Sequence, residues 1–248
     1  MELAEYELMN AVEDRMWWYQ GLHANALALY GARRPRIAAA EGEVVLDAGC
    51  GTGGLLAKLA RAADLPPALG LDYADRAAHL AGAKTGRPVV VGSVNALPFR
   101  DGSLTAIFSM DVLCHRAADQ AAALSEAYRC LRPGGCLVIN LPAYQWMHSV
   151  HDERVHNARR FSRPEVIALL RAAGFPTVRA SYWNLVLFPL MLLRRKLLPA
   201  SDKSDVQLYP AAIEALFRGI LGFERALMQL GVNLPFGGSI IAVATKHG

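Results

Sequence analysis

Short apolar runs of strand length alternate along this chain with stretches whose apolar residues recur at helical spacing. That alternation predicts an α/β protein with a mostly parallel sheet. Leu3, Tyr6, Met9, Val12, Met16, Tyr19, Leu22 and Ala26 recur near a helical period, so residues 2–30 are expected to be helical, with Pro35 in the break that follows. Strands are expected at 44–46, 68–72, 88–92, 106–110, 136–141, 177–183 and 239–245. Helices are expected at 118–131, 165–174 and 210–231, the second closed by Gly174. Between the first two of these, Leu131-Arg132-Pro133-Gly134-Gly135 reads as a helix stop and a turn.

The most informative stretch is residues 44–53, Val-Val-Leu-Asp-Ala-Gly-Cys-Gly-Thr-Gly. Its apolar start fits a buried strand that Asp47 ends. Gly49, Gly51 and Gly53 allow a sharp turn and close approach to a ligand, and Leu55, Leu56, Leu59 and Ala60 open a helix. Strand, glycine turn and helix begin a doubly wound nucleotide-binding sheet. The glycines run G-x-G-x-G behind an acid, not G-x-G-x-x-G. An acid there repels a pyrophosphate and suits a ligand that carries an amine. Asp72 ends the second strand 19 residues after Gly53, near the distance at which an acid meets ribose hydroxyls. A carboxylate can accept two hydrogen bonds from a diol, although Asp72 also suits the start of the next helix. Tyr73 is placed to stack beside a base.

These residues resemble motif I of the class I S-adenosylmethionine (SAM) methyltransferases, in particular the type-11 group. Further segments carry the resemblance. Glu13-Asp14 with Trp17-Trp18-Tyr19 is similar to an E-D-x-x-W-W-Y arm, with Gln20 where Arg is common. Residues 92–99 resemble G-D-A-x-x-L-P-F, with Ser93 in place of the acid. Asp111-Val112-Leu113-Cys114-His115 resembles D-V-L-x-H, and residues 123–135 resemble A-L-x-E-x-x-R-x-L-x-P-G-G. In D-x-S-F-D the second acid is replaced by Thr105. The resemblance implies a Rossmann-like doubly wound sheet of order 3-2-1-4-5-7-6 with strand seven antiparallel. It implies one domain: a helical arm (1–40), a core (41–183), a helical lid between strands six and seven (184–236) and the last strand (237–248). The implied cofactor is SAM, with S-adenosylhomocysteine as product. The implied cofactor contacts are Asp47, Gly49, Cys50, Gly51, Gly53, Asp72, Tyr73, Ser93, Val94 and Asp111.

Candidate acceptor chemistry gathers at 142–163, which holds His148, His151, His156, two acids and four arginines. This segment resembles S-x-H-D-x-x-x-H-x-R-R-Y in a subset of the same group, with Phe161 for Tyr. His151, oriented by Asp152 or another acid, is a candidate general base, as is His115. Arg159 and Arg160 are candidates to clamp a carboxylate or phosphate. A salt-bridged loop without chemistry is the plain alternative. His151, Asp152 and His156 show no recognised metal-binding spacing, so no metal is expected. Residues 185–198 are intensely apolar and include Arg194-Arg195-Lys196. They suit core packing, a greasy lid, a homodimer contact or shallow membrane contact.

The totals narrow the partners. The 248 residues are 53% hydrophobic and 19% charged, enough for a substantial core. A net charge of +4 permits an anionic substrate but does not argue for nucleic acid. No N-P-P-Y-type segment follows strand four, which argues against base amino-methylation of DNA. Cys50, Cys114, Cys130 and Cys136 form no C-x-x-C pair, and the first residues show no signal region. Reduced thiols in a cytoplasmic enzyme acting on a small-molecule, peptide or lipid-like acceptor are expected. A SAM-binding regulatory subunit and a peripheral membrane enzyme on lipid-linked substrates are the rivals.

Overall fold

Seven strands form one sheet in the order β3-β2-β1-β4-β5-β7-β6. The computed structural model describes residues 3–33, 42–196 and 206–247. Pro35 and Leu197-Leu198 lie outside the described residues. The strands are β1 (Val45–Ala48), β2 (Ala68–Asp72), β3 (Val89–Val91), β4 (Leu104–Met110), β5 (Leu131–Pro142), β6 (Thr177–Trp183) and β7 (Ser239–Thr245). β1 to β5 pair in parallel, while β7 is antiparallel to both β5 and β6. The doubly wound order implied by the motifs is therefore present. β1 is buried along its whole length and is flanked by β2 and β4, which is why it reads as an unbroken apolar run.

The helices are α1 (Leu3–Val12), α2 (Trp17–Gly31), α3 (Gly54–Arg61), α4 (Asp75–Thr85), α5 (Gln120–Cys130), α6 (Val150–Arg154), α7 (Arg163–Ala172), α8 (Phe188–Lys196) and α9 (Ala211–Gln229). Among the described residues no helix is long and apolar enough to cross a membrane. The core lies where α2 and the sheet meet: Tyr30 packs edge-on to Phe108 at 5.4 Å, and both are buried.

Three expectations are corrected. The N-terminal segment is two helices, because the chain turns at 13–15 and Met16 is extended. Asp47 does not end β1 but lies within it, opposite Gly70 and Phe108. The Pro-Gly-Gly stretch does not separate helix from strand. β5 starts at Leu131, and a bulge between the pairs Leu104–Leu131 and Ala106–Cys136 absorbs it.

Gly53 also differs in role from the expected cofactor contact. It has φ +93° and precedes α3, and a Cβ there would lie 3.0 Å from the Ala81 backbone of α4. It lets two helices meet and does not line the cavity described below. We expect Gly53→Ala to lower stability by about 1–3 kcal/mol in urea unfolding, with an unchanged slope.

Candidate active site

The carboxyl ends of the parallel strands open into a cavity of about 690 Å³, within the range of about 300–1,000 Å³ common for small-molecule sites. The glycine turn forms its floor through Asp47, Gly49, Cys50 and Gly51. Leu71, Asp72 and Tyr73 follow from β2, and Ser93 and Val94 from the segment after β3. Asp111 and His115 come from the loop after β4, and His151, His156 and Arg160 from the loop after β5. α1 and α2 cover one side with Tyr6, Met9, Glu13, Trp17, Trp18 and Tyr19. Leu187, Leu190 and Met191 of the α8 segment and Phe217 of α9 complete the wall.

One half of this cavity is acidic. Asp47 is buried, and its Oδ2 has no hydrogen-bond partner among the described residues. Burial pushes its carboxyl up to about 8, and the nearby charges of Asp72 and Glu13 add to the effect. Asp72 is held above its ordinary value by burial. Its two oxygens accept from the backbone N–H groups of Gly51 (2.8 Å) and Ala74 (2.9 Å), so it braces the glycine turn and the approach to α4. Gly51 has φ +54°, and Met9 Cε lies 2.8 Å from where its Cβ would stand. The arm thus closes directly on the turn.

Glu13 is the acid that the sequence reading passed over. Thr52 donates to its Oε1 at 2.5 Å, Lys84 forms an ion pair with it, and burial raises its carboxyl. A signal was available: Met9, Glu13 and Met16 share a helical face, so Glu13 sits where apolar residues point inward. Three buried carboxyls around a glycine turn, one with an unsatisfied oxygen, fit a cationic ligand. SAM carries an ammonium and a sulfonium, and the donor set suits both.

The other half is richer in nitrogen. His115 lines the cavity, and burial pushes its imidazole down to about 4. It is neutral through the physiological range. His151 and His156 stand on the same wall. Asp111, pushed up to about 6 mainly by burial, accepts from Asn140 Nδ2 at 2.9 Å. Asn140 Oδ1 in turn accepts from Trp183 Nε1 at 2.7 Å, and Trp183 stacks on Trp18 at 6.0 Å. This chain of contacts joins β4, β5, β6 and the arm.

The two arginines do not behave as expected. Arg159 pairs with Glu165 at 3.1 Å, lies over Phe161 and does not line the cavity. Arg160 reaches the cavity wall, but the carboxylate it clamps belongs to the chain. Its Nε and Nη2 donate to Asp152 at 3.0 and 2.9 Å, and Nη1 donates to Ala143 O. Asp152 is fully buried and also accepts from Ser149 and Asn157. The pair fixes the loop that presents His151. Ser93 Oγ already accepts from Asn95 N at 3.1 Å, which leaves its hydroxyl hydrogen for a ligand. Tyr73 is 74% exposed, free to lie along a flat group. All four non-glycine residues with left-handed backbone among the described residues, Asp111, Tyr144, His156 and Asn184, follow the carboxyl ends of β4, β5 or β6. Three of them line the cavity, where strained backbone marks functional positions. No three metal-ligating side chains gather among the described residues.

A sheet of this order, with an acid-flanked glycine turn and a cavity across its carboxyl edge, is a Rossmann-like doubly wound fold with its crevice where such sheets bind ligands. Residues 46–139 match the family model described as a methyltransferase domain. A Mycolicibacterium smegmatis protein named "probable S-adenosylmethionine-dependent methyltransferase" is 32% identical over 140 residues, 54% of this chain and 52% of that one. An O-methyltransferase of Penicillium expansum is 33% identical over 157 residues, 58% of this chain and 55% of its own. The chain thus spans about half the length of these curated relatives. A chain from a complex of the Haloferax volcanii Trm112 methyltransferase activator with a methyltransferase shares the fold. Its TM-score is 0.60 at 22% identity, covering 99% of this chain and 94% of that one.

We expect Asp152→Ala to cost about 3–5 kcal/mol in chemical denaturation, because it leaves the Arg160 charge buried and uncompensated. The double variant Asp152→Ala, Arg160→Met should regain most of that loss.

Proposed function

We propose that the protein transfers the methyl group of SAM to an oxygen or nitrogen nucleophile held between the acidic floor and His115 and His151. The observation that carries this reading is Asp47, a buried acid with an unsatisfied oxygen beside the Asp72 and Glu13 carboxyls. When bound, SAM supplies a methyl group already activated on a sulfonium.

The chain's own residues bind, align and exclude water. Asp47 would hold the ammonium of the methionine part, and Asp72 would take the ribose hydroxyls with the lone pairs not used by Gly51 and Ala74. Tyr73, Ser93 and Val94, which line the cavity, would hold the base. Trp17, Trp18 and Tyr19 roof the cavity and keep solvent from the reacting atoms. Asp111 stands between the two halves, held by Asn140.

A nucleophile that carries a proton must lose it as its bond to carbon forms and the sulfur–carbon bond breaks. A base needs basicity near the working pH, and burial has removed that from His115. His115 therefore orients the acceptor as a neutral hydrogen-bonding group, and His151 takes the proton. A carboxylate acceptor would need no base. The likeness to an O-methyltransferase supports an oxygen acceptor, and the apolar α8 and α9 wall supports one with a hydrophobic part.

Titration calorimetry with SAM tests the reading. Wild type should bind, and Asp47→Asn should bind at least about tenfold more weakly. The pH dependence has a definite sign. The Asp47 carboxyl holds its proton up to about 8, and a cation beside it expels that proton. Binding at neutral pH should release up to one proton, binding well above 8 should release none from this group, and the variant should lose this release. Without ligand, the raised value means that stability falls as pH rises from the unfolded carboxyl's ordinary range, about 4, through about 8. Asp47→Asn should therefore melt higher than wild type in alkaline buffer. His151→Ala should lower kcat about 10²- to 10⁴-fold on a hydroxyl acceptor while leaving SAM affinity unchanged. Wild type that fails to bind SAM would overturn the assignment.

A further inference from the structure

We propose that Asn184 determines specificity in the acceptor half of the cavity, and that its side-chain amide holds an uncharged hydroxyl of an otherwise apolar acceptor. Asn184 follows Trp183, the last residue of β6. Because β7 is antiparallel to both β5 and β6, β6 runs in the same direction as β5 and ends on the same edge of the sheet. β4, β5 and β7 separate it from β1 and the acidic floor. Asn184 lines the cavity and is 2% exposed, yet its Oδ1 has no hydrogen-bond partner among the described residues. A buried amide without a partner is costly, and a ligand that bonds to it removes the cost.

The backbone alone does not call for this amide. Asn184 has φ +59°, a left-handed conformation that asparagine tolerates better than most residues. Glycine adopts it too, with no polar group to bury. The chain also keeps room for the amide. A Cβ at Gly238 would stand 3.3 Å from Asn184 Nδ2 and 2.7 Å from Met191 Cε, and Gly238 lines the same cavity. The glycine that precedes β7 in Pro235-Phe236-Gly237-Gly238-Ser239 thus leaves space where Asn184 and Met191 meet the cavity.

The surroundings select the chemistry. Past Arg160 in chain order, the cavity lining holds no charged side chain among the described residues. Leu187, Leu190, Met191 and Phe217 give this wall an apolar surface. A carboxylate, phosphate or ammonium would lose its water there without gaining a counter-charge. The Glu224 carboxylate accepts from the N–H groups of Leu185 and Val186, the two residues after Asn184, so an anion would also meet a negative charge. Arg160 offers no remedy, since Asp152 already holds it, and Arg116 is exposed on the loop after β4. A hydroxyl needs no counter-charge. It both donates and accepts, so it satisfies whichever end of the amide faces it. The acceptor class is therefore an apolar alcohol or phenol. The word acceptor rests on the methyl-transfer reading; the hydroxyl subsite rests on the cavity alone.

Equilibrium dialysis of the whole chain at neutral pH tests the subsite with naphthol, methylnaphthalene and naphthoate, all substituted at the same ring position. Each is measured with and without saturating S-adenosylhomocysteine. Wild type should bind naphthol at least about fivefold more tightly than either of the other two, because methylnaphthalene leaves the amide unpartnered and naphthoate brings a charge. Asn184→Gly keeps the left-handed backbone and removes the amide, so it should bind naphthol no better than methylnaphthalene. Asn184→Asp also suits that backbone. It should keep naphthol, whose hydroxyl donates to the carboxyl group, and weaken naphthoate further. The proposal falls if wild type binds none of the three probes, does not prefer naphthol, or if Asn184→Gly retains the preference. S-adenosylhomocysteine affinity, measured on the same samples, separates the two ideas. Cofactor-product binding without a preference for the hydroxyl overturns only the role of Asn184. The preference without cofactor-product binding overturns only the methyl-transfer reading.

Discussion

Carboxyls buried at the carboxyl edge of a parallel sheet are costly unless something cationic meets them, and this constraint organises the site. Asp47 lies within a central strand, where it cannot turn to solvent. Asp72 is braced by two backbone N–H groups, which offset part of its burial but bring no charge. Glu13 comes from the arm and carries Lys84 and Thr52 with it. The arm is thus tied to the glycine turn and to α4 by the same acid that adds to the negative potential of the floor. The contact that holds the arm also supplies one of the acids of the site.

The opposite wall obeys the same rule with the signs resolved internally. Asp152 and Arg160 neutralise each other out of water, and the pair also bonds Ser149, Asn157 and the Ala143 carbonyl. Its product is geometry, not charge. The loop after β5 is long and polar, and without this pair it would have no reason to hold His151 in one place. The left-handed backbone at Asp111, His156 and Asn184 shows that the strand ends are bent to bring side chains inward. Rigid strands carry the loops, and buried polar contacts set their final form.

Much of the frame was legible in the sequence because its causes are local. The glycine turn, the strand termini at Asp72 and Trp183, and the α5 to β5 signature are written in consecutive residues. What was not legible depends on pairs far apart in the chain. Arg160 had the residue type of an anion clamp, and only the fold shows that Asp152, eight residues earlier, already fills it. Arg159 differs from it by one position and points to Glu165 instead. Gly53 reads like its neighbours in the glycine turn, but its crowding comes from Ala81. Glu13 acquires its meaning from Thr52 and Lys84, which no local pattern joins to it. The bulge at 132–135 was hidden for a different reason: proline and glycine signal a turn and an interrupted strand in the same letters.

α9 shows how the insertion between β6 and β7 serves the site from a distance. A surface helix normally keeps acids outward and apolar residues inward. Here Glu214 and Glu224 are inward, and each satisfies two backbone donors of other segments. Glu214 caps the start of α2, which carries the tryptophans of the roof, and Glu224 holds the chain entering α8, which carries Leu190 and Met191. One helix therefore sets the position of both the aromatic arm and the apolar α8 segment in the cavity wall. A helix fixed so firmly on its polar side has no freedom to rotate its apolar row out of water. The exposed row at Leu216, Phe223 and Leu230 follows from the orientation that the inward acids impose.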